Sequence, residues 1–317
     1  MLLIREHKAL ASTIALLAFM VPALAQRPAA TDSPDRTRVE AGASERVLPD
    51  VVVLMHDVEE NQRKAEAVEK DYIYHSTAIL QQRNNSGQVK KTEANEYDHF
   101  WSEGVPVRKL IVKNGKPLSP DELKKEDDKI SKDVRKAKEK REKAATEGKP
   151  TDPAGNEEIT VSRLLELGTF TNPRRVQLNG RDTIAVDYTG DPKAKTRNSA
   201  EAAVKNLAGT AWIDEQDSVL SRVEGRFVNS FKVGAGLVVN IQKDTHFVME
   251  QTKVNSEVWL PASIQAEGAA RVLLFFNFNG TIRSVDSNYR KFRTTSTILP
   301  VTTQADLPRR SQDPAPQ

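Results

Sequence analysis

The sequence predicts an α+β fold built on a large antiparallel sheet, and three observations carry that reading. From Gly209 to about Ser296 the chain is a ladder of long segments: GTAWIDEQDSVLSRVEGRF, VVNIQKDTHFVMEQTKV, EVWLPASIQAEG and RVLLFFNFNGTIRSVDSNYRKF. Most of them alternate apolar and polar residues, the pattern of a sheet with one covered and one wet face. Helical stretches are inserted between hairpins, with no regular βαβ alternation and no glycine-rich phosphate loop, so an antiparallel sheet is expected rather than a parallel one. The alternation breaks once, where Leu273, Leu274, Phe275, Phe276 and Phe278 crowd together. A sheet with so greasy a face suggests a carrier of something apolar.

The N-terminus reads as an export signal. Arg5, His7 and Lys8 precede an apolar stretch from Leu10 to Val21, and Ala23-Leu24-Ala25 is a small-x-small cleavage site, which puts the signal at 1–25 and the mature start at Gln26. The apolar stretch is short of the roughly 20 residues a membrane helix needs. The chain has no cysteine, so disulfides and an N-terminal lipid anchor are not expected, and a soluble periplasmic protein is. The mature chain carries 45 basic and 43 acidic residues. A balance so near neutral argues against nucleic acid as a partner.

Residues 26–46 are rich in Ala, Pro, Asp, Arg and Ser without periodicity and read as a disordered leader. Pro49 and Asp50 open an amphipathic helix to about Lys70, with Asp50 as its cap and Val51, Leu54, Val58, Ala65 and Val68 on one face. Tyr72 to Arg83, Gln88 to Ser102 and Val105 to Lys113 are three strands separated by Asn84-Asn85-Ser86-Gly87 and Glu103-Gly104, with Asn114-Gly115 as a further turn. Ser119-Pro120-Asp121-Glu122 is a capping box opening a helix to about Thr146. Between Asp121 and Glu147 it carries ten basic and nine acidic residues but only a narrow apolar stripe of Leu123, Ile130, Val134 and Ala137. That composition predicts a solvated helix docked along one edge, an insertion over 119–148. A short helix over Thr160 to Leu167 precedes a hairpin, Arg174 to Leu178 and Thr183 to Tyr188, turned by Asn179-Gly180, and Ser199 to Leu207 is a further short helix before the long ladder. The globular region is thus expected over 47–300, with a flexible tail over 301–317.

Chemistry is thinly represented. His56, His75, His99 and His246 form no close-set ligand motif, no GxSxG is present, and the many carboxylates single out no pair. His75 and His99 fall on neighbouring strands with Asp98 beside them, a conceivable metal or hydrolytic neighbourhood lacking a third ligand at diagnostic spacing. No catalytic residue, metal or cofactor is expected. The aromatic residues of the ladder, Phe227, Phe231, Phe247, Trp259, Phe275, Phe276 and Phe278, are either core or the wall of an apolar cleft under the helices. Phe227, Phe247, Trp259, Leu274, Phe276 and Phe278 are the candidate cavity residues.

The order of signal, amphipathic helix at Pro49 to Lys70, meander at Tyr72 to Lys113, helical insertions and long strands resembles the LolA/LolB/LppX-like superfamily of periplasmic lipoprotein and lipid carriers. GTAWIDEQDSVLSRVEGRF is similar to that superfamily's "W-I-D" hairpin, and EVWLPASIQAEG to the strand with a "W-L-P" core. The resemblance implies an unclosed half-barrel of about ten antiparallel strands, with helices over a hydrophobic concave face that holds acyl chains. It implies lipid or lipoprotein acyl chains, and envelope membrane proteins, as partners. It also implies an arginine at the lid, for which Arg108, Arg222 and Arg226 are available. A scaffold of the same fold, working through the charged helix, is the alternative, and a hydrolase is a third.

Overall fold

The computed structural model describes residues 46–233, 238–272 and 276–292. The export signal over 1–25, the tail over 301–317, Leu274 and nearly all of the expected leader lie outside the described residues.

Helix α1 (Val51–Glu69) starts where Asp50 accepts hydrogen bonds from the Val52 and Val53 amides at 2.9 and 3.0 Å, pairing two donors a helix start leaves unmet. Strands β1 (Tyr72–Arg83), β2 (Val89–Ser102) and β3 (Val105–Lys113) form the expected meander, followed by the two-residue β4 (Lys116–Pro117). Helix α2 (Pro120–Thr146) opens on the capping box: the Ser119 amide donates to Glu122 at 3.0 Å and the Glu122 amide to the Ser119 hydroxyl at 3.4 Å. Ser119→Ala is expected to cost about 1 kcal/mol of helix stability, read as faster amide exchange in the first turn of α2.

Helix α3 (Val161–Leu167), strands β5 (Gly168–Leu178) and β6 (Arg181–Gly190), and helix α4 (Ser199–Val204) come next. Strand β5 starts six residues earlier than the sequence pattern suggests and contains Pro173. It can do so because it is an edge strand, and its pairing with β6 is irregular between Thr171 and Arg174. Then follow β7 (Leu207–Asp214), β8 (Val219–Phe227), β9 (Phe231–Val233), β10 (Val239–Ile241), β11 (His246–Val254), β12 (Val258–Val272) and β13 (Phe276–Lys291). Ten strands are long; β4, β9 and β10 supply only two or three residues each.

All thirteen strands join one antiparallel sheet in the order β4-β3-β2-β1-β13-β12-β11-β8-β7-β6-β5, with β10 pairing β12 and β9. The N-terminal meander is joined to the C-terminal ladder by β1 and β13, whose register runs from Tyr72 opposite Lys291 to Gln82 opposite Gly280. Strands β4 and β5 are the two ends of this order and do not pair with each other, so the sheet is an unclosed half-barrel.

The helices divide between the two faces. Leu54, Met55 and Val58 of α1 and Val161 of α3 pack with Ile184, Val186 and Ile213. Alternation sends Ala185 and Trp212 to the other face, where they pack with Val176 and Leu178. The C-terminal end of α1 continues along the first face, with Val68 against Tyr72, Val258 and Leu260 and Lys70 over the Trp101 ring. Helix α4 covers the same face further along, where Ala203 packs with Phe227, Phe231, Val239 and Ile241. Helix α2 differs: Val134 and Ala137 pack on Val105, Val107 and Phe100. Phe100 alternates with Trp101 and His99, so α2 sits on the face opposite α1, docked by the narrow stripe its sequence offers.

Candidate functional site

Between the core under α1 and the core under α4 the sheet carries an apolar band. Two cross-strand rows build it. One runs Leu80–Ile282–Ala266–Phe247–Gly225 and the other Ala78–Ser284–Ile264–Met249–Val223, each residue the register partner of the next. The second row continues through Ala211 to Val186, which packs under α1, so both rows lie on the α1 face. Along β8 the face reads Leu220 against the α1 core, then Val223 and Gly225, then Phe227 in the α4 core. Along β12 it reads Leu260 under α1, then Ile264 and Ala266, then Ala270 beside the α4 core. Leu80, Phe247, Ile264, Ile282 and Val223 are only half-buried, and among the described residues none belongs to a packed core cluster. Phe247 lies flat over Gly225, where a Cβ would come within 2.5 Å of the ring, so only glycine lets the ring lie on the sheet.

The band ends in polar groups beside the C-terminus of α1. On the same face of β13 the residues change from Phe278 through Gly280, Ile282 and Ser284 to Asp286, and on β1 from Leu80 through Ala78 to Ser76 and Tyr74. Asp286 is 3% exposed and Glu69, the last residue of α1, 6% exposed. Burial holds the Asp286 carboxyl well above its ordinary range, against the pull of Arg108. Burial, reinforced by the like charge of Glu66, pushes Glu69 up to about 7. Ser76 Oγ and His99 Nε2 are 2.8 Å apart, and the His99 ring stacks on Tyr74 with centroids 4.5 Å apart. Burial, then the positive charge of Arg108, depresses His99 well below its ordinary value and keeps it neutral. Gln251 is 8% exposed, but past a register shift it pairs with Pro261 while Thr252 pairs with Leu260, so it leaves this face and shares the other with Lys253 and Trp259.

The residues that the sequence marks fall in different places. Phe247 is in the band. Phe278, buried, pairs with Ala270 beside the α4 core, and Phe227 is fully inside that core. Trp259 stands apart on the other face from Leu260, its Nε1 donating to Asp217 at 2.8 Å and Arg181 over its ring at 5.4 Å. Phe276 opens β13 in register with Val272. Of the arginines, Arg108 lies on the α1 face, stacked on Tyr97 at 3.6 Å, whereas Arg222 sits over Trp212 and so on the opposite face, as does Arg226 by alternation. The His75, Asp98 and His99 neighbourhood does not assemble. His75 meets Asp98 and Glu96, each at 3.2 Å, on one face, while His99 turns to the other with Ser76. Among the described residues no group of three or more His, Asp or Glu could hold a metal ion.

Sequence reasoning passed over Leu80, Ile264 and Ile282. Their alternation with Gln81, Gln265 and Arg283 was available as a signal, but nothing in the sequence marks Glu69, Gln251 or Asp286 as buried.

No protein-family model and no curated protein matches the chain. Among solved structures it is similar to one described as an outer membrane lipoprotein-sorting protein domain from Vibrio parahaemolyticus, at 13% identity and a TM-score of 0.35, over 77% of this chain and 94% of that one. It is similar to a DUF1329 family protein from Desulfovibrio piger at 9% identity and a TM-score of 0.33, over 76% and 92% of the two chains. A LolA superfamily protein from Nitrosomonas europaea is similar at 8% identity and a TM-score of 0.27, over 75% and 94%.

Proposed function

We propose that this protein is an exported, non-enzymatic carrier or binding protein for an acyl-bearing ligand, a lipid or a lipoprotein, which lies along the apolar band. The observation that carries this reading is the band itself: a run of half-buried apolar side chains left between two helix-covered cores on one face of an open sheet. An acyl chain laid there gains about 0.8 kcal/mol for each methylene it buries. Phe247 is its central wall, and Phe278, beside the α4 core that contains Phe227, closes the end towards α4. The full burial of Ser76 favours a non-enzymatic role, since no substrate reaches its hydroxyl beside His99. Among the described residues no helix is long and apolar enough to cross a membrane. Export through the signal at 1–25 places the carrier in the periplasm, and mass spectrometry of the mature protein should find Gln26 at its N-terminus.

Phe247→Asp places a charge in the band and is expected to weaken binding of a fluorescent fatty-acid probe by at least about tenfold. Leu80→Asp, on the opposite side of the band, should do the same without disturbing the ring over Gly225. Thermal melts of both variants separate lost binding from lost folding. Wild-type protein that emerges lipid-free from the envelope and binds no probe would refute the reading.

The placement of α2 favours a second reading, an envelope scaffold whose working surface is that helix, because it projects from the face opposite the band. Deleting 120–146 should leave probe binding intact in a carrier and abolish partner capture in a scaffold.

A further inference from the structure

Among the described residues five cations lie over aromatic rings, and they divide by what else they hold. Arg181 over Trp259, Arg222 over Trp212 and Lys291 over Tyr72 each also pair with a carboxylate, those of Asp214, Glu250 and Glu257. Lys70, 5.4 Å from the Trp101 ring centre, and Arg108, 3.6 Å from that of Tyr97, make no ion pair among the described residues. Both are exposed, and both belong to the face that carries the band. Trp101, His99 and Tyr97 alternate along β2 on the α1 side, and Arg108 is the register partner of His99. The row Leu110–Tyr97–Ser76–Asp286 lies between Arg108 and the band row through Ala78. Two residues along a strand span about 6.7 Å, so Arg108 stands about 13 Å from that row. Lys70, over Trp101, stands one row further.

We infer that the band takes amphiphiles with an anionic, phosphate-type head, which Arg108 holds and Lys70 attracts from one row further. The inference rests on the acyl-ligand reading of the band and narrows it to phosphate-bearing lipids. A guanidinium stacked on a ring keeps its N–H donors in its own plane, pointing away from the ring, and that fork matches two oxygens of a phosphate. The aromatic strip beneath supplies apolar contact where head meets chain. Burial disfavours the charged form of the nearby acids Asp286 and Glu69, and Glu93, opposite Leu80, pairs with Lys91. An alcohol or amine head offers no negative charge to either cation.

The test is displacement of the neutral probe N-phenyl-1-naphthylamine from the mature full-length protein by dodecyl phosphate, dodecanol and dodecylamine at one pH and low salt. Dodecyl phosphate is expected to displace it at concentrations about tenfold or more below the alcohol and the amine. Arg108→Gln should raise the dodecyl phosphate requirement about tenfold, and Lys70→Gln by a smaller factor, with dodecanol unchanged in both. Unchanged dodecanol displacement also shows that each variant, altered at an exposed position, keeps its fold. Inorganic phosphate alone at millimolar concentration should leave dodecyl phosphate binding intact, since the head is held together with its chain. Competition by inorganic phosphate at the concentrations at which dodecyl phosphate acts would replace the lipid head by a free-anion site. Dodecanol or dodecylamine acting as well as dodecyl phosphate, or a phosphate preference indifferent to Arg108→Gln, would overturn the head-group inference alone. A probe that does not bind at all would overturn the acyl-ligand reading together with it.

Discussion

Replacing Arg163 with methionine is expected to destabilise the protein by about 3–5 kcal/mol. Arg163, in α3, makes a two-pronged ion pair with Glu201 of α4, Nε to Oε1 at 2.7 Å and the terminal nitrogen to Oε2 at 2.8 Å. The Glu201 side chain is only 2% exposed, and this pairing, with the Arg197 amide at 2.6 Å, holds its carboxyl below the usual range. Methionine keeps most of the apolar stem but leaves a buried carboxylate without its cation. For a domain of this size the loss corresponds to a fall in melting temperature of roughly 10 °C. The cost should be non-additive. Glu201→Gln combined with Arg163→Met removes the stranded charge and should recover a large part of the stability, because the penalty lies in the unpaired charge. Equal losses in the single and double variants would show that the pair acts through packing alone.

Glu69→Gln is expected to stabilise the protein at alkaline pH. Burial raises the folded-state carboxyl from 4.5 to about 7, so between those values the native state holds a proton that the unfolded state has released. Stability from this group is therefore fully present below pH 4.5 and is lost as pH rises to about 7, a decline of about 3 kcal/mol. Glutamine cannot ionise, so the variant should lack this decline and should exceed the wild type at pH 8 by a comparable amount. Urea unfolding at pH 5 and pH 8 checks it, and parallel pH profiles for the two proteins would count against a buried, neutral Glu69. Asp286, raised for the same reason, contributes a decline of the same sign, so Asp286→Asn should add to the effect. Both carboxyls stand at the junction of α1 with the sheet, where ionisation would loosen the helix that borders the band.

Much of the local structure was legible because it is decided locally. Asp50 and Ser119 announce their helices since a cap needs only the amides that follow it. Asn179-Gly180 marks its hairpin because positive φ is required there whatever surrounds it, and both residues adopt it, at 52° and 77°. The narrow stripe of Val134 and Ala137 announced a helix docked by one edge, which is how α2 sits. The aromatic signal was less discriminating. Phe227, Phe247 and Trp259 look alike in sequence, yet one is core, one lies on an apolar band and one hydrogen-bonds Asp217 on the other face. Their fates depend on which strands flank them and on a register shift between Glu250 and Gln251, which no period-two pattern shows.

By itself, then, the sequence determined the elements, their antiparallel character and the existence of one greasy face, because hydrophobic periodicity and turn chemistry act within a few residues. Only the tertiary structure decided that β1 pairs with β13 across about two hundred residues of chain. The same pairing brings Ser76 opposite Asp286 and gathers the half-buried rows between two cores, while the β1–β2 register, with Tyr74 opposite His99, parts His75 from His99. Those outcomes follow from which strands find one another and in what register. That choice is made by the whole sheet burying its apolar area at once.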